Sequence, residues 1–154
     1  MFAWVYVSKL KSEIETNMLR AAKKVELVSD IKTSVLTFRL AERGILLFSS
    51  INGQEKVQLN KDLFAQSTSK TLDKVRDLRP LLVLDEGRRL TDAIESGVND
   101  YARIQTQIPK MCAAGQVREP IQMDMDRLVP VGGGIVKAID ALLVLQQRLN
   151  QEAV

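Results

Sequence analysis

The sequence predicts an all-α domain, built as an antiparallel up-down-up-down four-helix bundle with long first and last helices. Three observations predict it. Apolar residues recur at sums of three and four along most of the chain, and the pattern restarts four times. Short breaks at Asn52-Gly53, at Pro80 to Leu84 and at Ala113-Ala114-Gly115 separate the repeats. No run alternates apolar and polar residues as a half-buried strand does. A seam spaced in this way keeps one side of a helix against a partner, so four such helices bury their seams on one another.

The spacing predicts a first helix over about 9–51, with Ile14, Met18, Ala21, Val25, Val28, Ile31, Val35, Phe38 and Ile45 on its seam. Asn52-Gly53 tolerates the left-handed backbone that ends helices. A second helix follows over about 54–79, carrying Val57, Phe64, Leu72, Val75 and Leu78. Pro80 disfavours helical backbone at Arg79 and stops it. Asp85 is placed to cap the third helix, over about 86–113, with Glu86 at the positive end of its dipole. Its seam is Leu90, Ile94, Val98, Tyr101, Ile104, Ile108 and Met111, and Pro109 kinks it or marks its last turn. The fourth helix spans about 117–151, tolerates Pro120 in its first turn, and lines up Ile121, Met125, Leu128, Ile135, Ile139, Leu142 and Leu149.

The fourth helix carries an interruption, Pro130-Val131-Gly132-Gly133-Gly134. An interior proline costs about 3 kcal/mol and each glycine about 1 kcal/mol relative to alanine. The section is either a kink where helices pack closely or a compliant stretch in a helix that moves. No Gly-Lys-Ser/Thr follows the glycines, so it is not a phosphate loop.

The 154 residues amount to one domain with room for a core, and 45% hydrophobic with 27% charged residues excludes disorder. A net charge of +3 and 5% aromatic residues give no basis for a nucleic-acid partner. The chain has no histidine and a single cysteine, Cys112. The commonest general base and transition-metal ligand are therefore missing, and Cys112 reads as a small buried residue rather than a reactive thiol. The inventory points away from an enzyme and from a metal or haem cofactor. The opening Met1-Phe2-Ala3-Trp4-Val5-Tyr6-Val7 is too short to span a bilayer, which takes about 20 residues, and it lacks signal-peptide features. With Trp4 and Tyr6 it reads either as the last turns of a membrane helix or as the start of an ordinary one.

Ala113-Ala114-Gly115-Gln116 before the last helix, Met125-Asp126-Arg127-Leu128-Val129-Pro130 within it, and the arginines of the first helix together carry a resemblance. The chain resembles the four-helix-bundle ligand-binding domain of bacterial methyl-accepting chemotaxis proteins and related transmembrane receptors. The resemblance covers nearly all of the chain as a single domain, 1–154. It implies an extracytoplasmic (periplasmic) portion of an inner-membrane protein, flanked by transmembrane helices and paired as a homodimer through the first helix. An even number of helices, with the first and last overhanging at one end, suits a sensor set between two membrane helices. Sensor histidine kinases carry similar bundles. A helical protein-interaction or spacer domain is the alternative from another class, decided by whether membrane helices flank the segment.

Counting turns from the helix ends sets Arg39 and Arg43, Asp62 to Gln66, Asn99 to Arg103, and Arg127 with Pro130 near one level. The candidate ligand-binding residues are therefore Arg39, Arg43, Tyr101, Arg103 and Arg127. Arg39 and Arg43 share a helix face. Either they pair with Glu42, Asp62 or a partner chain, or they grip a carboxylate ligand through their guanidinium forks. The clamp resembles the family's aspartate receptors, whose first helix holds the ligand with arginines across the dimer interface. Here Leu47 stands where a third arginine of that face would be, which departs from an amino-acid site and leaves a dicarboxylate or other small acid.

Overall fold

The computed structural model describes the backbone of residues 2–152 and the side-chain surroundings of residues 7–152. All regular structure among them is helical. Helix α1 spans Phe2–Ser50 and α2 Gln54–Leu78, followed by a 3-10 turn at Arg79–Leu81. Helix α3 spans Asp85–Gln105 and α4 Ile108–Ala113. Helix α5, Arg118–Met123, runs through a π turn at Asp124–Leu128 into α6, Val129–Glu152. The side chains of Trp4 and Tyr6 lie outside the described ones.

The breaks follow the chemistry that the sequence supplies. Asn52 takes the left-handed backbone at φ 56°, and the Gly53 N–H closes on the Phe48 carbonyl at 2.8 Å. Gly115 repeats the device at φ 78°, with the Gln116 N–H donating to the Met111 carbonyl at 3.1 Å. Asp85 is the first residue of α3 and not its cap. Leu84 holds the extended cap position, and Asp85 and Glu86 act through the dipole of the first turn. The third predicted helix is divided. It stops at Gln105 and restarts at Ile108, which puts Pro109 in the first turn of α4, where its missing N–H costs nothing.

Helix α1 packs on α2 and α6, and α3 packs on α6 and α2. Lys74 pairs with Asp30 at 3.0 Å, Lys32 with Asp140 at 2.7 Å, and Arg148 with Glu86 at 3.5 Å. Arg79 reaches Asp92 and Glu95 of α3. The core is one cluster, from Leu27, Ile31, Val35, Phe38 and Ile45 of α1 to Val75 and Leu78, Ile94 and Val98, and Ile135, Ile139 and Leu142. A methyl on Gly97 would come within 2.6 Å of Ile135 Cγ1, so that glycine sets how closely α3 and α6 approach.

Two stretches of predicted seam are not buried. Ile14 and Met18 are exposed, because α1 runs on past its partners: Asn17 and Arg20 already line an open groove with Leu149 and Asn150. Ile121 and Met125 are exposed as well. The π turn adds a residue to one turn and rotates the upstream face, so the buried line runs through Pro120, Leu128, Gly132 and Ile135. Among the described residues Arg118–Glu152 is also the one helix long and apolar enough to cross a membrane. Core helices share that composition, and this one buries its seam against α1 and α3.

Candidate functional site

Two turns of α1, from Phe38 to Arg43, hold the polar centre of the domain. Phe38 faces the core and anchors an aromatic group. Its ring centroid lies 5.1 Å from that of Tyr101 on α3 and 5.8 Å from that of Phe64 on α2. Phe64 and Tyr101 stack at 6.3 Å. Four residues on from Phe38 and three before Ile45, Glu42 falls on the same buried seam and is 0% exposed. The Tyr101 hydroxyl donates to Glu42 Oε2 at 3.3 Å, while Glu42 Oε1 has no hydrogen-bond partner.

Arg39 lies against α6. A methyl on Gly132 would sit 2.8 Å from Arg39 Nε and 3.1 Å from Tyr101 Cε2, so the bare glycine leaves the space that the guanidinium and the ring occupy. Arg43, one turn on, is exposed. Asp124 opens the π turn half-buried beside both arginines, with Arg43 the stronger influence. Among the described residues neither arginine forms an ion pair within 4.0 Å. Burial pushes the Glu42 carboxyl up to about 7, with the Asp124 charge adding to it and Tyr101, Arg43 and Arg39 opposing. Burial also raises Asp124 above the ordinary carboxylate range and drives the Tyr101 hydroxyl far above its usual value, where it stays a donor.

Arg43 also lines an open groove of about 220 Å³, between Leu46, Leu47 and Ser50 of α1, Cys112 of α4, and Gln116, Val117 and Ile121. Its walls are mainly apolar, with one cation at the side.

Of the five residues singled out in the sequence, Arg39, Arg43 and Tyr101 come together. Arg103 does not: it is exposed and pairs with Asp100 at 3.0 Å. Arg127 is exposed too, since the π turn carries it to the outer side while Leu128 turns inward. Asp62 is not the arginines' partner and instead accepts from Gln58 at 2.8 Å. The sequence reading missed the importance of Glu42 and did not see Asp124. Glu42 was detectable from its phase with Phe38 and Ile45, but Asp124 depends on the π turn. Cys112 is half-buried at the groove rather than in the core. Among the described residues no group of three His, Cys, Asp or Glu side chains could hold a metal ion. No protein-family model matches the chain, and no match to a curated protein is found.

Proposed function

We propose that this chain is the extracytoplasmic sensory domain of a transmembrane receptor of the chemoreceptor kind, which binds a small carboxylate and transmits through its last helix. The arrangement proposed is an antiparallel up-down-up-down bundle. In support, residue numbers run oppositely along each helix pair: Asp30 pairs with Lys74 while Gly44 adjoins Asn60, Lys32 pairs with Asp140 while Arg39 adjoins Gly132, and Glu86 pairs with Arg148 while Gly97 adjoins Ile135. The chain ends then share one side of the domain, where Asn17 and Arg20 meet Leu149 and Asn150. The Arg43 groove lies at the other side, beside the turns at Asn52 and Gly115.

The observation that carries this reading is the double role of Arg43. It stands on the wall of an apolar groove, exposed and without an ion pair among the described residues, and it acts on Asp124 at the head of the π turn. A carboxylate seated on its guanidinium fork gains two charge-assisted hydrogen bonds. The same contact draws the arginine's charge away from Asp124, which biases the segment leading into α6. Arg39, packed on Gly132, holds the inner side of the cluster. A ligand transmits only through such a difference between two arrangements.

Pairing through α1 belongs to the same proposal. Leu36, Leu40 and Leu47 fall at heptad-like spacing on its outer face and are 48%, 69% and 57% exposed. An outer leucine stripe on an already packed helix suits a second copy.

Thermal unfolding with acetate, succinate, citrate, aspartate and benzoate tests the reading. A true ligand at a hundred times its Kd stabilises by about 2.7 kcal/mol, roughly a 5–10 °C rise for a domain of this size. The rise should vanish in Arg43→Ala. A full panel without a shift, or a shift that survives Arg43→Ala, overturns the small-acid site.

A further inference from the structure

Glu42 is a buried acid without adequate partners. An ionised carboxylate accepts at both oxygens, yet one oxygen has a single 3.3 Å bond from Tyr101 and the other has none. The charged and titratable groups that face it are Arg39 and Arg43 on α1, Tyr101 on α3 and Asp124 in the π turn. From α2 the nearby contribution is the ring of Phe64, stacked on Tyr101. The two arginines neighbour it without an ion-pair contact, whereas Asp124 repels it across the junction between α1 and the last helix. An enclosed charge so poorly paired is costly, and a proton removes the cost.

The segment that holds Asp124 is also the one part of Arg118–Glu152 that leaves α geometry. The π turn at Asp124–Leu128 precedes Pro130 and the three glycines, two of which have nothing within 4 Å of where a Cβ would stand. Helical hydrogen bonding is interrupted at the proline, and local packing is light at Gly133 and Gly134. This part of the helix can shift at lower cost than the tightly packed Ile135 to Leu145.

We propose that Glu42 is a proton-binding site that makes this domain a sensor of external acidity: its ionisation loosens the π turn from α1, and its protonation draws the two together. The proton works in place of a small-molecule ligand and on the same junction. With Glu42 neutral, Asp124 faces two arginines and no competing anion, so the π turn docks. With Glu42 charged, two carboxylates share those arginines and the movable one, Asp124, is displaced. That the acidity sensed is external rests on the extracytoplasmic placement proposed above; the step itself needs no small carboxylate, so it stands or falls apart from that ligand.

The test is carboxyl-carbon NMR of the whole chain labelled at glutamate Cδ, joined to hydrogen exchange of the amides of residues 124–129, 131 and 132. The Glu42 signal is identified by its loss in Glu42→Gln. It should titrate near pH 7, away from the other glutamates, because of the burial and repulsion described. Protection of these amides, corrected for intrinsic exchange, should fall as pH rises through that midpoint, by up to about tenfold per pH unit. In Glu42→Gln the fall should disappear. Asp124→Asn provides a second variant at a half-buried position, and it should move the Glu42 midpoint to lower pH. The proposal is overturned if Glu42 titrates with the exposed glutamates, if the protection ratio is the same with and without Glu42, or if Asp124→Asn leaves the midpoint in place.

Discussion

Alanine at Gly133 should stabilise the fold and alanine at Gly132 should not, although the two positions adjoin in one helix. At Gly133 a new methyl meets nothing within 4 Å. The substitution then contributes only the helix propensity gain, about 1 kcal/mol, and should raise Tm by about 2–4 °C. At Gly132 the methyl arrives 2.8 Å from Arg39 Nε and 3.1 Å from Tyr101 Cε2. The arginine can swing aside. Tyr101 cannot easily, because its ring is held 5.1 Å from Phe38 and 6.3 Å from Phe64. Overpacking of that kind costs about 1–3 kcal/mol, which offsets or exceeds the propensity gain. The two variants should therefore differ by roughly 1–3 kcal/mol in urea unfolding, with unchanged m-values. If Gly132→Ala is as stabilising as Gly133→Ala, the last helix does not press on Arg39 and Tyr101, and the site described above is wrong at its centre.

Stability should fall as pH rises from about 4.5 to about 7, because unfolded Glu42 releases its proton near 4.5 whereas the folded residue holds it to about 7. The folded state binds more protons in that window, so the loss reaches about 3 kcal/mol by pH 8, and urea titrations of Glu42→Gln should show a much flatter profile. Burial raises Asp124 in the same sense, so a small residual slope at the acid end of the window should persist in that variant and vanish when Asp124→Asn is added. Leu40→Glu should abolish concentration-dependent association in sedimentation velocity and leave Tm within about 2 °C, since Leu40 is 69% exposed and adds little to the core. Association that persists in Leu40→Glu would remove α1 as the pairing face.

Periodicity made the helices legible because each seam was long enough to average out local exceptions. It located Val57, Phe64, Ile94, Val98, Tyr101, Ile139 and Leu142 in the core. It failed where the period itself changes. Pro109 marked the interruption at Thr106–Gln107, but at Asp124–Leu128 the helix inserts an extra residue ahead of Pro130. A constant 3.6-residue count cannot anticipate that residue, so Ile121, Met125 and Arg127 were assigned to the wrong side. Level-counting along the helices brought Arg39, Arg43 and Tyr101 together correctly, because all three lie where the α geometry is regular. Level alone says nothing about rotation around the axis, and for that reason Arg103 shared the height but not the site. Glu42 was read only as an ion-pair partner for the arginines, although its position between Phe38 and Ile45 placed it inside.

The most direct measurement joins residues 1–154 to the membrane helices and kinase-controlling output of a chemoreceptor and follows kinase activity in membrane vesicles as a carboxylate is added outside. Output should change with at least one small acid from the thermal-shift panel, the response should be lost in Arg43→Ala, whose basal output should already lie toward the ligand-bound level because its charge on Asp124 is gone, and Gly133→Ala should shift the basal bias. A fusion that holds constant output across every acid while remaining folded and inserted would contradict the sensory role.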